Sequence, residues 1–190
     1  MKVRAVRNRY MDCPPHVAWK GYPETETHLT IGKEYEVYAM SFYGGCLMLL
    51  VIRDAGFQSF EPSWFFEITD RSISADWHIN LFNHKLHFDN ELHQAIIGPE
   101  FITSDVESYE AILESYPSAL RSLVDHIGRS EKACPCCSIA ILNKIGDYDI
   151  CPVCDWVDDP FQRNDVNLAD GVNASSLIDA REIWKKMIKR

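Results

Sequence analysis

Two short cysteine motifs in the last third of this 190-residue chain constrain its folding more than any other feature. Each motif places two cysteines three positions apart, in Cys134-Pro-Cys-Cys137 and Cys151-Pro-Val-Cys154, and 13 residues separate the motifs. A C-x-x-C turn brings two thiolates to one side of a tight loop, and two such turns supply four tetrahedral metal ligands. The pattern therefore predicts one bound metal ion with the ligands Cys134, Cys137, Cys151 and Cys154.

Zinc is the expected metal, although iron bound by the same four sulfurs, as in rubredoxin, is chemically reasonable. Four thiolates fill the coordination shell and leave no open position for water or substrate, which predicts a structural site rather than a catalytic one. A module as small as residues 132–190 cannot build a large core of its own. We therefore expect the metal to supply a large part of its folding free energy.

Cys136 lies between the two ligands of the first motif, and three interpretations of it stay open. It is a thiol without a role in binding, an alternative ligand, or a redox-sensitive residue. Val153 occupies the matching place in the second motif, which favours the first interpretation. Five of the seven cysteines lie between positions 134 and 154, a clustering that suits metal binding in a reducing compartment better than a disulfide framework.

A helix is predicted at the C-terminal end of the chain. Ser176 and Asp179 have the spacing of a capping box, and four basic residues near the end suit the negative pole of the helix dipole. Phosphate binding is the alternative role for these basic residues, which are Lys185, Lys186, Lys189 and Arg190. The predicted apolar face comprises Leu177, Ala180, Ile183, Trp184, Met187 and Ile188.

The motifs from Cys134 to about Trp184 together resemble the bacterial cysteine-rich CPCC domain. They are the CPCC turn, Tyr148-Asp-Ile-Cys-Pro-Val-Cys154, Trp156, Asp158-Asp159, Gly171-Val-Asn173, Ser176-Leu177 and Ala180-Arg181. Ser138 and Asp155 depart from the family pattern, which often has glycine or an aromatic residue after each cysteine pair. The resemblance implies a zinc-ribbon-like module of largely unassigned activity, found in bacteria and often encoded near toxin and immunity genes.

The residues before this module indicate an α+β domain. Alternating or β-rich segments predict strands over 2–6, 34–40, 47–52, 64–68, 77–82 and 92–97. The segment from Phe60 to Ile68 resembles the part of SH3-like barrels where a Pro-Ser turn leads into the closing strand. We therefore predict a small SH3-like β-barrel closed by two helices over residues 1–131, followed by the zinc module with its C-terminal helix over residues 132–190.

Two helices are predicted after Thr103. Ser104 and Glu107 form a candidate capping box for the first, whose apolar stripe would contain Val106, Tyr109, Leu113 and Tyr116. Pro117 opens the second and Gly128 ends it. The apolar face of this second helix comprises Leu120, Leu123, Val124 and Ile127.

The net charge of −9 is concentrated before the cysteine module, where residues 1–131 carry −8. No lysine or arginine occurs between Lys85 and Arg121, while seven acidic residues do. This surface would repel a phosphate-rich partner and attract a basic protein. The candidate partner-binding residues on the first predicted helix are Glu107, Glu110 and Glu114, although a solvated helix face without a partner is an equal alternative.

A second group of potential metal ligands is weaker. His84, His87, Asp89, Glu91 and His93 are close in sequence, yet Asn90 and the polar alternation suggest a hairpin turn instead. No nucleophile elbow, phosphate-binding loop or other catalytic signature is present, so no enzyme is expected. No apolar run is long enough for a membrane helix and no signal peptide is recognisable, so the expected location is the cytoplasm.

These features favour a binding protein. The leading hypothesis is an immunity-type protein that neutralises a basic toxin domain, because an acidic inhibitor can be steered onto a basic enzyme. A nucleic-acid-associated zinc-ribbon protein is the alternative, supported by the basic C-terminal end and opposed by the net charge. An enzyme ranks third, since the histidine group is its only support.

Overall fold

The computed structural model describes residues 1–15, 17, 27–43, 45–81, 95–128 and 132–187. Strands and helices are mixed, which confirms the α+β class. The chain forms two compact units, one of residues 1–54 and 58–114 and the other of residues 55–57 and 115–190. The predicted division after residue 131 stays a prediction.

The first unit contains two antiparallel sheets. A three-stranded sheet has the order β2-β1-β6, and a five-stranded sheet has the order β5-β4-β3-β8-β7. The strands are β1 (Lys2–Ala5), β2 (Glu34–Glu36), β3 (Ala39–Tyr43), β4 (Cys46–Ile52), β5 (Gln58–Pro62), β6 (Phe66–Asp70), β7 (Trp77–Asn80) and β8 (Ala95–Pro99).

Both sheets contribute side chains to one core. Along β1, Val3 and Ala5 are buried while Lys2 and Arg4 are exposed, as expected where successive side chains point to opposite faces. Val3 pairs with Tyr35 on one side and with Ile68 on the other. The buried cluster comprises Val3, Ala5, Leu29, Tyr35, Val37, Met40, Leu49, Val51 and Phe65.

The predicted SH3-like barrel is not confirmed, because the described strands form two sheets and no closed barrel. β3 is paired with β4 on one edge and with β8 on the other, and β7 extends the sheet beyond β8. Among the described strands, the edge strands β5 and β7 of this sheet are not paired with each other, so the sheet stays open. Strand β5 was not predicted from the sequence. A short 3₁₀ helix at Ser63–Phe65 precedes β6, which therefore begins at Phe66, two residues later than predicted.

The helices of the first unit begin at other residues than predicted. α1 (Glu100–Thr103) was not anticipated, and Ser104 is its C-cap rather than the N-cap of α2 (Val106–Leu113). Asp105 caps α2 instead, since its Oδ1 accepts a hydrogen bond of 2.7 Å from the Ser108 N–H. The buried side chains of α2 are Tyr109 and Ile112, whereas the predicted stripe members Leu113 and Tyr116 are exposed.

Helix α3 (Pro117–His126) belongs to the second unit and has the predicted start and stop. Pro117 occupies its first turn, and Gly128 adopts a positive φ of 62° after its last residue. Leu120, Leu123 and Val124 are buried as predicted.

The rest of the second unit has little regular structure. Two isolated antiparallel bridges, Ala133 with Ile141 and Ile150 with Val157, support the cysteine turns. Two helices follow, α4 (Pro160–Asn164) and α5 (Leu177–Met187). Throughout the described ranges, every helix falls short of the length and apolarity that a membrane crossing requires.

Candidate metal centre

The first cysteine turn, residues 134–138, is named the first knuckle here. The Cys134 N–H donates to the Ala140 carbonyl at 2.8 Å, and the Ser138 N–H donates back to the Cys134 carbonyl at 2.9 Å. Ser138 has a φ of +59°, in the left-handed region that few residues other than glycine favour. The backbone therefore reverses tightly and places Cys134 and Cys137 on the same side.

The second knuckle, residues 151–155, repeats this geometry. The Cys151 N–H donates to the Trp156 carbonyl at 2.8 Å, and the Asp155 N–H donates to the Cys151 carbonyl at 2.9 Å. Asp155 has the same φ of +59°. The Val153 N–H also points at the Cys151 Sγ, 3.4 Å away, a contact that stabilises sulfur in its thiolate form.

The knuckles bring four sulfur atoms together. Their Sγ atoms all lie within 4.8 Å of one another, with 3.7 Å between Cys134 and Cys154 and 3.6 Å between Cys137 and Cys151. A tetrahedral site with metal–sulfur bonds of about 2.3 Å has edges of about 3.8 Å between its sulfurs. Cys134, Cys137 and Cys151 are buried and Cys154 is half-buried. The donor set and its dimensions therefore fit one metal ion.

The four thiols do not ionise independently, because they exchange hydrogen bonds. The pKa of the Cys137 thiol is lowered by hydrogen bonds from the other cysteines, and the hydrogen bond with Cys134 has the largest effect. The hydrogen bond with Cys137 raises the pKa of Cys134, and the one with Cys134 raises the pKa of Cys154. The first thiolate is therefore easy to form, while further ones are opposed until a divalent cation balances their charge.

Cys136 lies outside this group of four sulfurs. It is half-buried and lines a groove of about 430 Å³ together with Cys154 and Val153. The pKa of its thiol is lowered, first by its hydrogen bond with Cys154 and further by the charge of Arg181. All seven cysteines fall in the described ranges, and none of them is joined in a disulfide. The role of Cys136 stays a prediction.

A buried ion pair that the sequence did not reveal supports the second knuckle. Asp158 is fully buried, and its two carboxylate oxygens accept hydrogen bonds of 2.7 and 2.9 Å from Arg163. The same carboxylate accepts the Gly146 N–H at 2.6 Å, in the loop between the knuckles. The backbone of Asp158 bonds to Asp149 and Tyr148, so this residue ties the loop to the strand-like segment after the second knuckle.

Gln162 and Asn173 form a second unpredicted network. The Gln162 side chain is fully buried, and its amide donates to the carbonyls of Leu168, Asn173 and Ser175, each at 3.0 Å. Asn173 in turn exchanges hydrogen bonds with both backbone groups of Val157. A polar side chain with all its partners in place fixes the path of the loop before α5.

The predicted capping box of α5 is present. The Ser176 hydroxyl donates to the Asp179 carboxylate at 2.7 Å, and the Asp179 N–H donates to the Ser176 hydroxyl at 3.2 Å. The predicted apolar face is only partly buried, because Leu177 is buried while Ile183 and Met187 are exposed. The Nε of Arg181 donates at 2.9 Å to the Pro135 carbonyl in the first knuckle.

The remaining predicted site residues lie elsewhere. Glu107 and Glu114 are exposed and Glu110 is half-buried on or beside α2, and their role in partner binding stays a prediction. The histidine group of His84, His87, Asp89, Glu91 and His93 lies outside the described residues.

Comparison with known proteins agrees with the geometry of the cysteine turns. No curated protein matches the chain. The family model described as Cysteine-rich CPCC matches residues 132–187, which contain both knuckles, the two polar networks and α5. This segment with its four-cysteine group is therefore similar to the Cysteine-rich CPCC family, as its motifs predicted.

Proposed function

We propose that residues 132–187 bind one zinc ion, which holds the segment folded. The observation that carries this proposal is the group of four cysteine sulfurs, mutually within 4.8 Å, on two knuckles of the same geometry. Zinc is favoured because four soft thiolates in a tetrahedral arrangement match its preferences and because it needs no particular redox state.

The zinc ion has a structural role, and the protein is not an enzyme. Four protein ligands complete the coordination shell, so the ion has no position for a water molecule to activate. Three of the ligands are buried, which shields the ion further.

Elemental analysis of protein purified without a chelator tests this proposal. We expect about one equivalent of zinc, and the same content in the Cys136→Ser variant, because Cys136 is outside the group of four. Protein without metal would refute metal binding. A red protein that contains iron would refute the choice of zinc, and a reduced zinc content in Cys136→Ser would refute the ligand set.

We further propose that the protein acts by binding, as an immunity-type protein that neutralises a toxin domain. Support comes from the resemblance to CPCC domains and from the acidic residues on and beside α2, two of which are exposed. A basic toxin domain would be drawn to such a surface before close contacts form. For the nucleic-acid alternative we find no supporting observation in the described residues.

The test begins with co-purification of the partner and measurement of association rates at two salt concentrations. Reversal of Glu107, Glu110 and Glu114 to lysine should slow association and weaken its salt dependence, since steering charges act on the encounter rate. Folding should persist, because exposed charges contribute little to stability.

The control carries the same change in net charge at exposed acidic residues outside α2. It reverses Glu34, Glu67 and Asp147 to lysine. Equal rates and salt slopes for wild-type protein and the α2 variant would remove this helix from the binding surface, and so would equal effects of both variants.

A further inference from the structure

Arg181 connects the C-terminal helix to the metal centre. Its Nε donates a hydrogen bond of 2.9 Å to the carbonyl of Pro135, a residue 46 positions earlier that lies inside the first knuckle. Pro135 sits between Cys134 and the other cysteines of this knuckle. A shift of the Pro135 carbonyl would therefore displace the peptide units that carry the ligands.

Helix α5 is attached mainly at its first turn, where Leu177 is buried and the Ile178 N–H donates to the Val166 carbonyl at 3.0 Å. It spans 11 residues, of which only Leu177 is buried among those the structure describes, while Ile183 and Met187 are 53% and 60% exposed. A helix of this length is marginal in water without tertiary contacts. One hydrogen bond from a guanidinium to the knuckle therefore has more weight here than in a well-packed helix.

The positive charge of Arg181 gives its contact with the first knuckle a second effect. Four thiolates around a divalent cation carry a net charge of about −2. Arg181 is half-buried, and its hydrogen bond to the Pro135 carbonyl holds its positive charge against the first knuckle. A fixed cation beside this group opposes the repulsion between the thiolates.

We propose that Arg181 is a positioning residue of the metal centre, which holds the first knuckle in ligand geometry and couples α5 to the bound ion. The inference rests on the proposed zinc site and adds the residue that links ion and helix. Each then stabilises the other: the bound ion fixes the carbonyl that Arg181 needs, and Arg181 fixes the turn that the ion needs.

The test measures zinc affinity of the full chain by competition with a chelator. Arg181→Ala should weaken zinc binding by about tenfold or more, the usual effect when a group that orients metal ligands is lost. Arg181→Lys keeps the charge but not the planar fork and should fall between Arg181→Ala and wild type. Lys186→Ala removes the same charge from an exposed site on the same helix and should change affinity by less than about twofold.

Unfolding measured with and without zinc separates positioning from ordinary packing. Arg181→Ala should lower stability in the zinc-loaded protein and leave the metal-free protein nearly unchanged, because without the ion the knuckle carbonyl has no fixed position. Equal losses in both forms would indicate a packing role and overturn the inference.

Unchanged zinc affinity in Arg181→Ala would also overturn the inference, and so would an equal loss of zinc affinity in Lys186→Ala. If Arg181→Ala does not fold, Arg181→Lys decides: wild-type affinity in that variant contradicts the inference. Wild-type protein that binds no zinc would refute the proposed function and this inference together, whereas zinc binding without any effect of Arg181 would refute the inference alone.

Discussion

At the scale of single residues, the two positions that follow the cysteine pairs have an unusual backbone conformation. Ser138 and Asp155 both adopt a φ of +59°, although neither is glycine. A side chain in this conformation brings Cβ close to the following carbonyl oxygen, and aspartate tolerates this better than most residues. The knuckle geometry therefore forms without glycine, at a small local cost.

Ser138→Gly should stabilise the zinc-loaded protein by about 0.5 kcal/mol. The relief of the left-handed strain, about 1 kcal/mol, exceeds the extra entropy that glycine gains in the unfolded chain. Chemical denaturation measures the change, with Ser138→Ala as the control, because alanine keeps Cβ and should bring no gain. The same stability in Ser138→Gly and Ser138→Ala would contradict the explanation.

A second residue-scale prediction concerns the buried carboxylate of Asp158. Asp158→Ala should cost about 3 kcal/mol, because it leaves Arg163 and the Gly146 N–H without their acceptor. The control is Asp147→Ala, which breaks an exposed ion pair with Lys144 and should cost less than about 1 kcal/mol. Denaturant midpoints measure both, and equal costs would show that Asp158 is not a structural link.

At the scale of secondary structure elements, local sequence signals predicted α3 and α5 of the second unit, whereas α4 was not predicted. Pro117 and Gly128 bound α3, and Ser176 with Asp179 caps α5, because each signal acts within about one turn of the chain. The predicted start of α2 was wrong by one residue, since Asp105 competed with Ser104 for the role of N-cap. Two adjacent candidate caps cannot be ranked by residue type alone.

The turn at Gly56 has no room for a side chain. Gly56 has a φ of +83°, belongs to the second unit, and accepts the Ile141 N–H at 3.3 Å. A Cβ added here would lie 2.2 Å from the Ile141 carbonyl oxygen, a backbone atom that cannot easily move. Gly56→Ala should therefore destabilise through both strain and collision.

Gly32→Ala is the matched control for this turn. Gly32 has a similar φ of +87°, and a Cβ there would have no atom within 4 Å. This variant should lose about 1 kcal/mol from strain alone, and Gly56→Ala should lose at least about 1 kcal/mol more. Thermal unfolding compares them, and equal losses would mean that the backbone at Ile141 yields to the added methyl group.

At the scale of the whole molecule, the two units have different sources of stability. The first has an apolar core from two sheets, whereas the segment around the cysteines has two isolated bridges and the group of four thiols. If the segment around the cysteines binds the proposed zinc ion, its folding depends on that ion, because so small a segment has little core of its own. Loss of the metal should therefore affect the two units unequally.

Cys151→Ser should unfold residues 132–187 and leave the sheets of the first unit folded. An incomplete ligand set loses most of the metal-binding free energy, while the core around Val51 and Phe65 is unchanged. Amide hydrogen exchange locates the effect, with Cys46→Ser as a control for loss of a buried thiol in the first unit. Protected amides in α5 of the Cys151→Ser variant would show that the metal is not structural.

The sequence by itself determined which four cysteines form one group, the limits of α3 and the capping box of α5. These features depend on residues a few positions apart, so turn chemistry and helix caps are readable without knowledge of the fold. Only the tertiary structure decided how the strands pair, since β8 meets β3 across more than 50 positions and two sheets form where a barrel was predicted. It also decided the roles of Asp158, Gln162 and Arg181, because each is defined by a partner that the folded chain brings to it. Local geometry is set by steric and hydrogen-bonding preferences of neighbouring residues, whereas long-range pairing is set by which surfaces are buried together.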